Sequence, residues 1–114
     1  MAEIPVKIRN IIEEYLKLLK KNNFKIQRVF LFGSYARGNY NEWSDIDLAI
    51  VSDNFEGVRI KDKDKTRKIT LSVSSSLEVL PFNPKDFNQN NPLAKEIMET
   101  GIEILQPAEE NNMA

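Results

Sequence analysis

The sequence predicts one α/β domain, built as a mixed β-sheet with helices packed on one face. Apolar residues recur at helical spacing from Ile4 to Leu19, while three short apolar runs, at 29–32, 46–51 and 77–82, have the length and composition of strands. A chain of 114 residues leaves room for one core and not for a second domain.

Taken in order, Ile4, Ile8, Ile11, Ile12, Tyr15, Leu16, Leu18 and Leu19 form the apolar face of a first helix. Pro5 fits its first turn and Asn22-Asn23 ends it. A strand over 25–32 runs into Gly33, where Ser34 is placed to cap a short helix through Ala36 and Gly38 to terminate it. The polar turn 39–44 holds Tyr40 and Trp43, of which Trp43 is expected to cover the edge of the core. A second strand follows over 45–51, broken by 54–57. Over 58–76 the local signals conflict. Ile69, Leu71 and Val73 alternate as in a strand, and the serines at 74–76 suit a helix interior poorly. The cations Arg59, Lys61, Lys63, Lys65, Arg67 and Lys68, interleaved with Asp62 and Asp64, read as a solvated face. The stretch LEVLPF at 77–82 is a third strand, stopped by Pro81 and the Asn83-Pro84 turn. Asn91-Pro92 starts a further helix with Leu93, Ala94, Ile97 and Met98 on its apolar stripe; Gly101 closes it, and a short strand over 102–105 follows. The domain is thus expected over 1–106, with a disordered tail at 107–114.

Composition narrows the chemistry. Sixteen basic and seventeen acidic residues give a formal charge of −1, so no stable, salt-dependent binding to nucleic acid is expected. There is no cysteine and no histidine, which excludes disulfides, thiol catalysis and imidazole as base or ligand. No segment reads as a signal peptide or a membrane span, and the cytoplasm is the default compartment.

The chemistry concentrates in FLFGSYARGNYNEWSDIDLAIV, residues 30–51. Gly33 allows close approach of the backbone to a ligand, and N–H groups at a helix start can hold a phosphate. Arg37 adds positive charge one turn further on. Side chains alternate along a strand, so Asp45 and Asp47 share one face about 6.6 Å apart. Paired carboxylates of this kind suit hard divalent cations, and two-metal phosphoryl-transfer sites hold their ions about 3.5–4 Å apart.

These residues carry a resemblance. Gly33-Ser34-Tyr35-Ala36-Arg37-Gly38 followed by Ser44-Asp45-Ile46-Asp47-Leu48 resembles the signature of the minimal nucleotidyltransferases, small members of the DNA polymerase beta-like superfamily. The resemblance implies a small nucleotidyltransferase domain in which Gly33 and Ser34 contact the nucleotide phosphates and Asp45 and Asp47 bind magnesium. It also implies a crossover helix within 58–76 and a third acid on a later strand, the position matched by Glu78, where aspartate is the commoner residue. The reaction implied is transfer of AMP from ATP, with two magnesium ions held by Asp45, Asp47 and Glu78. Stand-alone proteins similar to this one pair with a HEPN ribonuclease toxin and adenylylate it as antitoxins, which makes such a toxin the expected partner in a hetero-oligomer. The alternatives are an inactive antitoxin or adaptor that neutralises its partner by occlusion, and a small-molecule transferase whose acceptor pocket would be completed by self-association.

Overall fold

The structure is a computed structural model that describes residues 4–104, so the tail expected at 107–114 and the last residue expected in the final strand lie outside the described residues. Its elements are helix α1 (Val6–Lys21), strand β1 (Ile26–Phe32), helix α2 (Ser34–Arg37), strand β2 (Ile46–Ser52), helix α3 (Arg59–Val73), strand β3 (Leu77–Phe82), helix α4 (Pro92–Thr100) and strand β4 (Ile102–Glu103). A 3-10 turn, Pro84–Asp86, precedes α4.

The strands form one mixed sheet in the order β3-β2-β1-β4. β1 runs antiparallel to both β2 and β4, whereas β2 and β3 are parallel. Parallel neighbours cannot be joined by a tight hairpin; the chain must cross from the end of one strand to the start of the next. This requirement resolves the conflict over 58–76: the segment is the crossover helix α3, and the alternation of Ile69, Leu71 and Val73 does not describe its conformation. β3 has β2 as its one sheet neighbour, so Pro81 sits within an edge strand rather than stopping it.

Alternation along the strands splits the core between the two faces. On one face Ile8, Ile12, Tyr15, Leu16 and Leu19 of α1 pack against Val29 and Leu31 of β1 and Leu48 and Ile50 of β2, with Ile69 and Val73 of α3 beside them. The Tyr15 hydroxyl and the Thr70 hydroxyl share a hydrogen bond of 2.7 Å that ties α1 to α3. On the other face Phe30, Ala49, Val51 and Phe82 meet Phe87 and, from α4, Ala94 and Ile97. The two long helices thus share one face as expected. The short α4 is added to the other, because Phe30 of β1 and Ala49 and Val51 of β2 face that side and need cover. Asn91 caps α4 as its sequence implies, its side-chain oxygen accepting from the Leu93 and Ala94 amides.

Two further expectations from the sequence fail. Trp43 is 84% exposed and covers nothing, because Asn41 accepts from the Trp43 amide and builds a turn that aims the indole outward. Asp62 does not lie on a solvated face. It is fully buried, and its two carboxylate oxygens accept from the Glu56 and Gly57 amides at 2.8 Å each, with the Lys65 ammonium 3.7 Å from one of them. A buried polar group is tolerated where its hydrogen bonds are made, and here they fasten the start of α3 to the loop that leaves β2. Asp62→Ala is expected to destabilise the protein by about 2–4 kcal/mol, read by urea unfolding, since it strips two buried amides of their acceptor. A loss within about 0.5 kcal/mol, the range of an ordinary surface change, would show that the loop finds other partners.

Candidate active site

The site lies where the end of β1 meets the beginnings of β2 and β3. Antiparallel pairing sets Asp47 opposite Phe32, the last residue of β1, so the turn that follows β1 arrives beside the start of β2. Gly33 makes that turn. Its φ of +75° is one that residues with a Cβ rarely adopt, and a Cβ there would collide with Oδ2 of Asp47. The carboxylate of Asp47 therefore rests against the Gly33 backbone, which closes the position to any other residue.

Gly33 is also the residue that starts α2. Its carbonyl accepts from the Ala36 and Arg37 amides at 3.1 Å each, and Ser34 makes no side-chain cap. The capping role expected of Ser34 passes to Gly33 because the turn tightens one residue earlier; Ser34 becomes the first helical residue, half-buried. Gly38 ends the helix in the left-handed conformation, its amide donating to the Ser34 carbonyl. Tyr35 turns inward to the α1 side of the sheet and stacks on Tyr40 at a centroid distance of 4.5 Å. A cavity of about 470 Å³ opens there, bordered by Tyr35, Tyr40, Ser44 and Ile46; Ile46 faces that side, so the cavity lies across the sheet from Asp47.

Parallel register supplies the third acid. Asp47 pairs with Glu78, so the two carboxylates leave neighbouring strands on the same face. Asp45, exposed and just ahead of β2, acts on the same point. The Asp47 carboxyl is pushed above the ordinary aspartate range by its partial burial first, then by the negative charges of Asp45 and Glu78, while the Arg37 guanidinium pulls it back down. Gly33, Arg37, Asp45 and Glu78 are thus each within contact or electrostatic reach of Asp47, with Ser34 one residue from Gly33. One residue here was read from the sequence only as part of a solvated face: Lys63, whose ammonium lies 3.1 Å from Glu78.

Negative charge crowded around a half-buried carboxylate, with oxygen as the donor atom throughout, has the chemistry of a hard divalent-cation site. The donors fit such an ion. Among the described residues no group of three carboxylates is placed to hold one.

Residues 12–110 match the family model described as Polymerase beta, Nucleotidyltransferase. The chain belongs to this family. It is 40% identical over 79 residues to the protein named "Putative protein adenylyltransferase MJ0141" of Methanocaldococcus jannaschii, a match covering 66% of this chain and 75% of that one. A similarly named protein of the same organism, MJ1305, is 32% identical over 105 residues, or 86% of this chain and 71% of its own length. Among solved structures, that of a toxin-antitoxin with AMP-PNP superposes with a TM-score of 0.59 over 89% of this chain and 75% of the other. At 22% identity that likeness concerns the fold.

The raised pKa of Asp47 gives a stability prediction with a definite sign. A carboxyl whose folded pKa is raised contributes stability that is present below the unfolded pKa and lost as pH rises through the folded one. Asp47→Asn removes that loss. In EDTA the variant is expected to resist urea better than the parent at neutral pH and to lose this advantage on acidification to about pH 3, below the ordinary aspartate pKa. Lower stability of the variant at neutral pH would mean that Asp47 is held by favourable contacts instead.

Proposed function

We propose that this chain is a magnesium-dependent adenylyltransferase that moves AMP from ATP onto a partner protein. The observation that carries the reading is the register of β2 against β3, which sets Glu78 beside Asp47 at the mouth of the Gly33 turn. Family membership supports the reaction class. ATP as the donor is supported by a fold neighbour crystallised with AMP-PNP, and a protein acceptor by relatives named protein adenylyltransferases.

In this reading the Gly33 backbone and the first N–H groups of α2, which have no partner within the helix, face the phosphates, and Arg37 adds a positive charge one turn away. Asp45, Asp47 and Glu78 would hold magnesium, as two ions. When bound, magnesium supplies neutralisation of the triphosphate and a more acidic acceptor hydroxyl. The acceptor oxygen forms a bond to the α-phosphorus, the bond to the β-phosphate oxygen breaks, and pyrophosphate leaves. Glu78, exposed near the start of β3, would hold the second ion or accept the hydroxyl proton.

The acceptor in this reading is a toxin of the HEPN ribonuclease type, with this chain as its antitoxin in a shared complex. That assignment draws on the resemblance of the motif and on the toxin-antitoxin crystallised with AMP-PNP. ATP and magnesium are both abundant in the cytoplasm, the compartment the reading requires, and among the described residues no helix is long and apolar enough to cross a membrane. One observation favours a second reading, an antitoxin that acts by occlusion: Glu78 is ion-paired to Lys63, and the acids are not drawn together.

Intact mass of a co-purified partner separates the two. Incubation with ATP and magnesium is expected to add one or more AMP groups to the partner, and Asp47→Asn to slow the addition by about 100-fold or more. An unmodified partner that remains neutralised, also by the Asp45 and Asp47 double variant, would establish the occluding adaptor.

A further inference from the structure

Glu78 is an acid whose side chain the sheet leaves open to solvent. β3 is an edge strand, and the Glu78 side chain is 56% exposed. A carboxylate there is open to solvent, and a cation pairs with it. The Lys63 ammonium stands 3.1 Å from Glu78 Oε2.

The lysine is delivered to this place by the fold. Asp62, its neighbour in sequence, is buried and bonded to the Glu56 and Gly57 amides, which fixes the first turns of α3 against the loop from β2. Lys63 then projects toward β3. Asp62 offers it no competing partner, since the Lys65 ammonium is the one near that carboxylate. Among the described residues Glu78 is accordingly the acid with which Lys63 pairs. Asp47 meanwhile receives no such relief. It feels both Asp45 and Glu78 as repulsive neighbours, and Arg37 offsets them only in part.

We propose that Lys63 is a positioning residue for the third acid, a latch that engages Glu78 until a divalent cation claims it. This rests on the proposed role of Asp45, Asp47 and Glu78 in holding magnesium. Convergence of the acids on a cation then requires the Lys63–Glu78 pair to open, and the strength of that pair sets part of the cation concentration the site needs. A half-exposed ion pair corresponds to about a 1.4- to 5-fold change in an equilibrium.

The test is magnesium titration of the nucleotide-free protein, read by its unfolding midpoint, so that no turnover is involved. Lys63→Met is expected to lower the half-saturating magnesium concentration by about two- to five-fold, and Lys63→Arg to leave it near the parent value. Because removing any nearby positive charge helps a cation to bind, two comparisons isolate the latch. Lys61→Met, on the same helix, should shift the midpoint less, and Lys63→Met should lose its effect when combined with Glu78→Gln. An unchanged half-saturation in Lys63→Met, or the same gain with Glu78→Gln present, would overturn the latch while leaving the metal site standing. Magnesium without effect on the parent and on every variant would remove the metal reading and the latch together.

Discussion

The parallel register of β2 against β3 is the constraint on which the rest depends. It sets Asp47 and Glu78 side by side, an arrangement that costs stability because like charges directly across a sheet repel. The remainder of the same ladder offsets that cost. From Leu48 to Ser52 every residue of β2 is buried, and the register that joins the acids also joins Leu48 to Val79 and Val51 to Phe82. A slip of one residue would separate the carboxylates, and it would also turn each apolar side chain of β2 to the wrong face. The core therefore holds an electrostatic conflict that the acids alone would relax.

From that register the other features follow. Parallel pairing demands a crossover, and the crossover helix α3 is fastened at its start by the buried carboxylate of Asp62. The antiparallel partner β1 ends opposite Asp47, which brings the Gly33 turn against the carboxylate so closely that no side chain fits between them. The Gly33 turn, a positive charge at Arg37 and three acids thus gather at one end of the sheet, while α1 and α4 close the core on its two faces.

Much of this was legible in the sequence, for reasons that are local. The strand at 77–82, the Asn91 cap and the Gly38 terminator each follow from residue types acting on their own backbone, and Asp45 and Asp47 share a face by alternation alone. What was not legible depends on distant partners. The conformation of α3 was undecided by its own pattern because the sheet topology requires a helix there, and Asp62 reads as one charge among many until the loop amides at Glu56 and Gly57 come to meet it. An aromatic residue in a turn looks the same whether it points in or out, and Trp43 points out because Asn41 shapes the turn. The Lys63–Glu78 pair joins residues of different elements, and no spacing in the chain announces it.

In the proposed reaction this end of the sheet transfers a nucleotide rather than a phosphate. ATP labelled at the α-phosphorus, compared with ATP labelled at the γ-phosphorus, tests it most directly in a mixture of this protein, its partner and magnesium. The account predicts that the α label alone becomes attached to protein, with pyrophosphate released in equal amount, and that replacing both Asp45 and Asp47 abolishes the attachment. Attachment of the γ label, or of the α label undiminished in the double variant, would contradict it.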